Sequence, residues 1–162
     1  MMRAIKTLML LLICSPAVAE EQMATFGDWK VLVPVFSSSK SCYAYTTPFR
    51  TKALEGSRDN PYMIITYRGP HMYSLGINAG FPLSGFKGFT LFANNRTHLL
   101  DVKIVTNAWT YSSAQDVAII DDLIRERDFA EVRSYDQKDK TALDYYSVRG
   151  LTTVLQYFDK NC

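Results

Sequence analysis

The chain has 162 residues, 18 of them basic and 16 acidic, and 48% are apolar, a size that suits one domain rather than two. The near-neutral charge contains no block of lysine or arginine, which excludes the electrostatic footprint that phosphate backbones and anionic membranes require, so nucleic acid is not an expected partner. No apolar run reaches the roughly 20 residues that cross a bilayer as a helix, so no transmembrane segment is expected in the mature chain.

The N-terminus has the three zones of a cleavable secretory signal. Arg3 and Lys6 form the basic end, Leu8 to Cys14 the apolar run, and Ala17-Val18-Ala19 a small-residue cleavage site. Cleavage is expected between Ala19 and Glu20. An alternative makes Cys14 a lipid-anchored terminus, but Ile13 stands where such a site wants a small residue. Residues 20–162 then form a single mature domain, periplasmic or secreted, in which basic and acidic residues are equal in number. No linker, low-complexity tract or internal repeat divides it.

With Cys14 removed, Cys42 and Cys162 remain. Outside the reducing cytosol an even pair reads as one disulfide, the alternative being two free buried thiols.

Strand signals fill the first two thirds. Trp29, Val31, Val33 and Val35 alternate with Asp28, Lys30, Leu32 and Pro34, the period of a half-buried strand that Pro34 marks as an edge or an end. Cys42 to Thr47 is a second run, followed by a polar loop with Arg50, Lys52, Glu55, Arg58 and Asp59. The segment Tyr62 to Tyr67 is apolar on both faces and belongs centrally in a sheet. Tyr73, Leu75 and Ile77 give a one-face-buried strand, and a turn from Gly80 to Gly85 leads to a strand over Phe86 to Phe92. Asn94-Asn95 tolerates the positive φ of a hairpin. The returning strand carries Leu100, Val102 and Ile104, and Trp109 and Tyr111 close the region.

The period then changes. Ser113 with Asp116 is a candidate capping pair, and Val117, Ile120, Leu123 and Ile124 share one helical face, predicting a helix from Ala114 to Arg127. Two strands, Phe129 to Tyr135 and Leu143 to Val148, flank a polar turn. Leu151, Val154, Leu155 and Phe158 have helical spacing, so a short C-terminal helix is expected, stapled to the second strand by Cys42–Cys162. Many short strands with turns between them imply a sandwich or barrel.

Four segments, in this order and spacing, resemble the invasion-associated locus B family of exported alphaproteobacterial proteins. They are Phe26-Gly27-Asp28-Trp29-Lys30-Val31, Cys42-Tyr43-Ala44, Arg58-Asp59-Asn60-Pro61-Tyr62, and Asp144 to Leu151. The resemblance covers nearly the whole mature chain, although Val33 stands where members often have a cysteine. It implies a mostly β, immunoglobulin-like β-sandwich, a periplasmic or secreted location, and for a few members a contribution to host-cell invasion. It implies no catalytic residues.

The chemistry-bearing residues fit that expectation. His71 and His98 lack cysteines or paired carboxylates at ligand spacing and read as surface or turn histidines, so no metal is expected. Gly80 to Gly85 has the glycine spacing of a phosphate loop, but Phe86 replaces its lysine. No serine lies in a nucleophile elbow. Asp121 with Asp122, and Asp136 with Asp139, read as solvated surface charge. The many tyrosines, Tyr43, Tyr45, Tyr67, Tyr73, Tyr145 and Tyr146 among them, are expected mostly to cover the core or line the sheets, the remainder suiting recognition. The expected function is that of a non-enzymatic envelope or surface protein, without cofactor, that binds a protein partner on the envelope or a host surface. Its candidate surfaces are the loop Phe49 to Asn60, with Arg50, Lys52 and Arg58, and the turn Gly80 to Gly85, with Phe81 expected exposed between glycines. The alternatives are a periplasmic carrier of a small apolar ligand inside the sandwich, and an envelope hydrolase whose polar site assembles only in space.

Overall fold

A computed structural model of the chain describes residues 22–33, 42–52 and 58–162. The expected signal, its cleavage point at Ala19 and Glu20, Cys14, Pro34, Val35 and Glu55 lie outside the described residues.

One antiparallel sheet has seven strands in the order β1-β2-β3-β5-β6-β10-β9. These are β1 (Gln22–Phe26), β2 (Trp29–Val33), β3 (Tyr43–Thr46), β5 (Tyr62–Gly69), β6 (Met72–Asn78), β9 (Val102–Ile104) and β10 (Asn107–Trp109). The doubly apolar β5 is its central strand, as the sequence predicts. Its registers keep Trp29 and Val31, Ala44 and Thr46, Met63 and Ile65, Leu75 and Ile77 on the buried face.

The second sheet has five strands in the order β4-β12-β11-β7-β8: β4 (Arg50–Lys52), β7 (Thr90–Ala93), β8 (Arg96–Leu99), β11 (Phe129–Tyr135) and β12 (Thr141–Ser147). Leu91, Ala93, Ala130, Val132, Ala142 and Tyr146 join the first sheet's inner residues in one core. The result is a mostly β sandwich with two helices. The helix α1 (Ser113–Arg125) packs on β6 and touches β7, and α2 (Leu151–Asn161) touches β1, β2 and α1. Among the described residues no helix is long and apolar enough to cross a membrane.

Three local expectations are corrected. The helix α1 is capped one residue earlier than Ser113: Ser112 and Gln115 exchange the two bonds of a capping box. Asp116 is used elsewhere, accepting from the Leu75 amide at 2.9 Å and from Thr110 Oγ1 at 2.8 Å. The strand expected over Phe86 to Phe92 begins only at Thr90, and Phe86 is fully exposed. The chain after Asn94-Asn95 makes two strands, because Leu100, fully buried, marks the point where it leaves one sheet for the other.

Cys42 and Cys162 form the expected disulfide, 120 residues apart, which fastens the end of α2 to the start of β3. A second staple joins the β1–β2 turn to the entrance of α2. Gly27 and Gly150 both have positive φ, and a Cβ on either would stand 2.3 Å from the Arg149 carbonyl oxygen or 2.0 Å from that of Phe26. Asp28 N–H donates to the Arg149 carbonyl at 3.1 Å, and Trp29 Nε1 donates to the Ser147 carbonyl at 3.2 Å. Bare backbone is the only surface that lets these two turns close on each other.

Candidate interaction face

Arg50 and Lys52 are exposed, as expected, but in the strand β4 at the edge of the five-stranded sheet and not in a loop. Register pairs Arg50 with Tyr145 and Lys52 with Leu143. Both cations lie over the Tyr145 ring, the guanidinium at 5.1 Å and the ammonium at 5.8 Å from its centroid. Among the described residues neither has a carboxylate within ion-pair distance.

Arg58 and Phe81 are mostly buried, which overturns their place on exposed candidate surfaces. Phe81 is 9% exposed, with the Arg58 guanidinium 5.1 Å from its ring centroid. The cause is Gly80: its φ of +75 and missing Cβ let the Asp59 carbonyl come close, and the Asp59 amide donates to the Gly80 carbonyl at 3.0 Å. That backbone pairing brings Arg58 over Phe81. The Arg58 side chain then turns inward, donating from Nε to the Ala79 carbonyl and from both terminal nitrogens to Asp144.

In their place stand two phenylalanines. Phe49, 60% exposed, meets Phe129, 43% exposed, with ring centroids 6.0 Å apart, and Phe129 meets Tyr145 edge-on at 5.4 Å. Tyr145 is thereby roofed on the sheet's outer face and only 9% exposed. A groove of about 750 Å³ opens beside this ledge, lined by Phe49, Ile124, Arg127, Phe129, Arg149 and Thr152 among others. A second hollow of about 340 Å³, between the helices, shares Ile124 and Thr152 with it. Val117 and Ile124, expected in the apolar stripe of α1, are 48% and 39% exposed along it, whereas Ile119, Ile120 and Leu123 carry the burial. Linear sequence offers no sign of this, because which part of an apolar stripe is covered depends on where α2 lies.

Two of the carboxylates lining the groove, Asp28 and Glu126, are already engaged. Asp28 is held below the usual carboxylate range by the hydrogen bond from Arg149. Glu126 is held low by the Asn94 amide, against the opposing effect of its burial. Asp122, expected as solvated surface charge beside Asp121, is 1% exposed. It accepts from Asn94 Nδ2 at 2.9 Å, lies 2.9 Å from His98 Nε2, and pins α1 to the β7–β8 hairpin. His98 is thus an inward-facing anchor, while His71 is the exposed turn histidine expected. Among the described residues no three His, Cys, Asp or Glu side chains are grouped to hold a metal ion.

Among solved structures the chain is similar to the crystal structure of invasion associated protein B from Bartonella henselae, with a TM-score of 0.59 covering 85% of this chain and 95% of that one, at 10% identity. The two chains share a fold. No family model and no curated protein matches the chain. The likeness to invasion associated protein B agrees with the resemblance carried by the four segments, and their residues join up in space. Gly27 and Asp28 meet Arg149 and Gly150, Cys42 meets Cys162, and Arg58 meets Asp144. What marks the resemblance in the sequence is therefore the set of staples that closes the sandwich, and the exposed ledge is built from other residues.

Proposed function

We propose that the protein works outside the cytoplasm as a non-enzymatic binding protein that contributes to host-cell invasion or envelope contact by docking a protein partner on the Phe49–Phe129 ledge. The observation that carries this reading is the ledge itself: two exposed phenylalanines beside two cations that, among the described residues, lack carboxylate partners, next to an open groove. Large exposed aromatic side chains with neighbouring arginine are the composition of interface hot spots. The signal-like N-terminus and the Cys42–Cys162 bond support the location outside the cytosol. The sandwich interior is filled by Trp29, Tyr146, Phe89 and Phe158, all buried, which favours surface docking over carriage of an apolar ligand between the sheets.

Photo-crosslinking from position 49 or 129 in intact cells, with and without host membranes, tests the proposal. A discrete crosslinked protein is expected from both positions and none from Met72, which lies in the β5–β6 hairpin. Phe49→Ala with Phe129→Ala should weaken capture of that protein and lower invasion while leaving the fold intact. Undiminished capture and invasion in the double variant would remove the ledge from the function.

A further inference from the structure

On the outer face of the seven-stranded sheet, register sets one residue from each of six neighbouring strands in a line. They are Lys30, Tyr45, Ile64, Gly76, Trp109 and Val102, on β2, β3, β5, β6, β10 and β9. Each alternates with inner-face neighbours such as Val31, Ala44, Ile65 and Ala108, which are fully buried, so the line looks away from the core. Tyr45, Ile64 and Trp109 are half-buried, as is Tyr62, two residues before Ile64 on the same face.

Gly76 shapes the row. A Cβ there would stand 2.7 Å from Trp109 Nε1, 3.0 Å from Trp109 Cδ1 and 3.3 Å from a methyl of Ile64. The indole therefore leans onto the bare backbone of β6. Trp29 spends its N–H on Ser147. Among the described residues, by contrast, nothing accepts from Trp109 Nε1 or bonds the hydroxyls of Tyr45 and Tyr62. Lys30 closes one end, its ammonium 5.9 Å from the centroid of the Tyr45 ring.

We propose that this row is a binding platform for an oligosaccharide lying across the strands. The face of an aromatic ring carries the negative part of its quadrupole and attracts the slightly positive C–H face of a sugar ring. The unspent indole N–H and phenol hydroxyls fit the hydroxyls at the sugar's rim, and a few placed polar groups on an apolar floor set orientation. A purely apolar occupant would leave those donors without partners as it excluded water. With Lys30 as its single cation, the row lacks the charge that a phosphate backbone demands. Tyr45 and Trp109 are three interstrand steps apart, roughly 14 Å, the reach of a short chain of sugars and not of one. The platform lies on the opposite side of the sandwich from the Phe49–Phe129 ledge and does not depend on it.

The test is binding of the purified protein to an array of neutral, amino and uronic-acid oligosaccharides, followed by titration of the bound class in solution. Trp29 is fully buried, so iodide quenching of fluorescence reports Trp109. Binding should protect Trp109 from iodide. Trp109→Ala and Tyr45→Leu should each weaken binding by roughly tenfold, and Phe49→Ala should bind as the parent does. Tyr45→Leu keeps the test decisive if removing the indole disturbs the sheet. The proposal is overturned if no oligosaccharide on the array protects Trp109, or if binding survives both substitutions.

Discussion

Arg58 and Asp144, 86 residues apart in the chain, meet inside the sandwich in a two-pronged ion pair, with 2.8 Å between Arg58 Nη1 and Asp144 Oδ1. Asp144 is 1% and Arg58 12% exposed at the side chain. The pair is completed by Thr51 Oγ1, which donates to the same carboxylate at 2.8 Å, and by the Ala79 carbonyl, which accepts from Arg58 Nε. It fastens the segment before β5 to the middle of β12.

Removing one partner leaves the other charge buried and alone. Arg58→Ala or Asp144→Ala should each lower stability by about 3–5 kcal/mol. Arg58→Met with Asp144→Leu should be milder than either alone. Urea unfolding of the three variants measures this, and single variants within experimental error of the parent would show that the pair does not hold the sandwich.

Opening the Cys42–Cys162 bond releases a loop of 120 residues in the unfolded chain. The chain-entropy relation gives about 4 to 5 kcal/mol for a loop of that length. Reduction, or Cys42→Ala with Cys162→Ala, should lower the unfolding midpoint and leave α2 as the first element to exchange its amide hydrogens. Uniform exchange across both sheets and α2 would contradict the assigned role of the bond.

Gly27→Ala and Gly150→Ala should each destabilise by about 2 kcal/mol or more, since each joins a positive φ to a Cβ collision with backbone. Gly85→Ala, which meets nothing within 4 Å, is the control and should leave the thermal midpoint almost unchanged.

Stability should fall at both ends of the pH scale. Asp28, Asp122 and Glu126 have folded-state values below the ordinary carboxylate range. For Asp122, burial pushes upward and is outweighed by hydrogen bonds from Asn94 and His98 and by the charge of Arg96. Their contribution is complete above the unfolded value of about 4 and is lost as pH falls through the folded one. Tyr73 and Tyr146 are pushed up by burial, reinforced by Asp159 and by Asp144 respectively. The unfolded chain therefore ionises first, and stability declines as pH rises above about 10. Thermal midpoints across pH should show Asp122→Asn with a shallower acid limb and Tyr73→Phe with a shallower alkaline one. An acid limb untouched by Asp122→Asn would refute the assignment.

How far the sequence could be read depended on the range of the interactions. Alternation over two or four residues placed Trp29 and Val31, Leu75 and Ile77, and the stripe of Leu151, Val154, Leu155 and Phe158 correctly in the core. The asparagine pair at 94 and 95 announced its own hairpin, with φ of +48 and +59. Long-range contacts were not readable. Phe81 looked like an exposed turn residue until the pairing of Asp59 with Gly80 brought Arg58 over it, and Arg58 looked like a surface charge until β12 brought Asp144 alongside. Phe129 entered the reading only as a strand residue, because its exposure depends on the pairing of β7 with β11 stopping short of it. Ser113 reads as the helix cap because Asp116 stands three residues on, and only β6 reveals the other use of Asp116.

The position of the disulfide also sets an order of events. A chain is made from its N-terminus, so Cys42 is synthesised 120 residues before its partner exists. Covalent locking therefore cannot precede the synthesis of α2. Any product that stops short of Cys162 would leave Cys42 without this partner, chemically distinguishable from a chain that carries the bond.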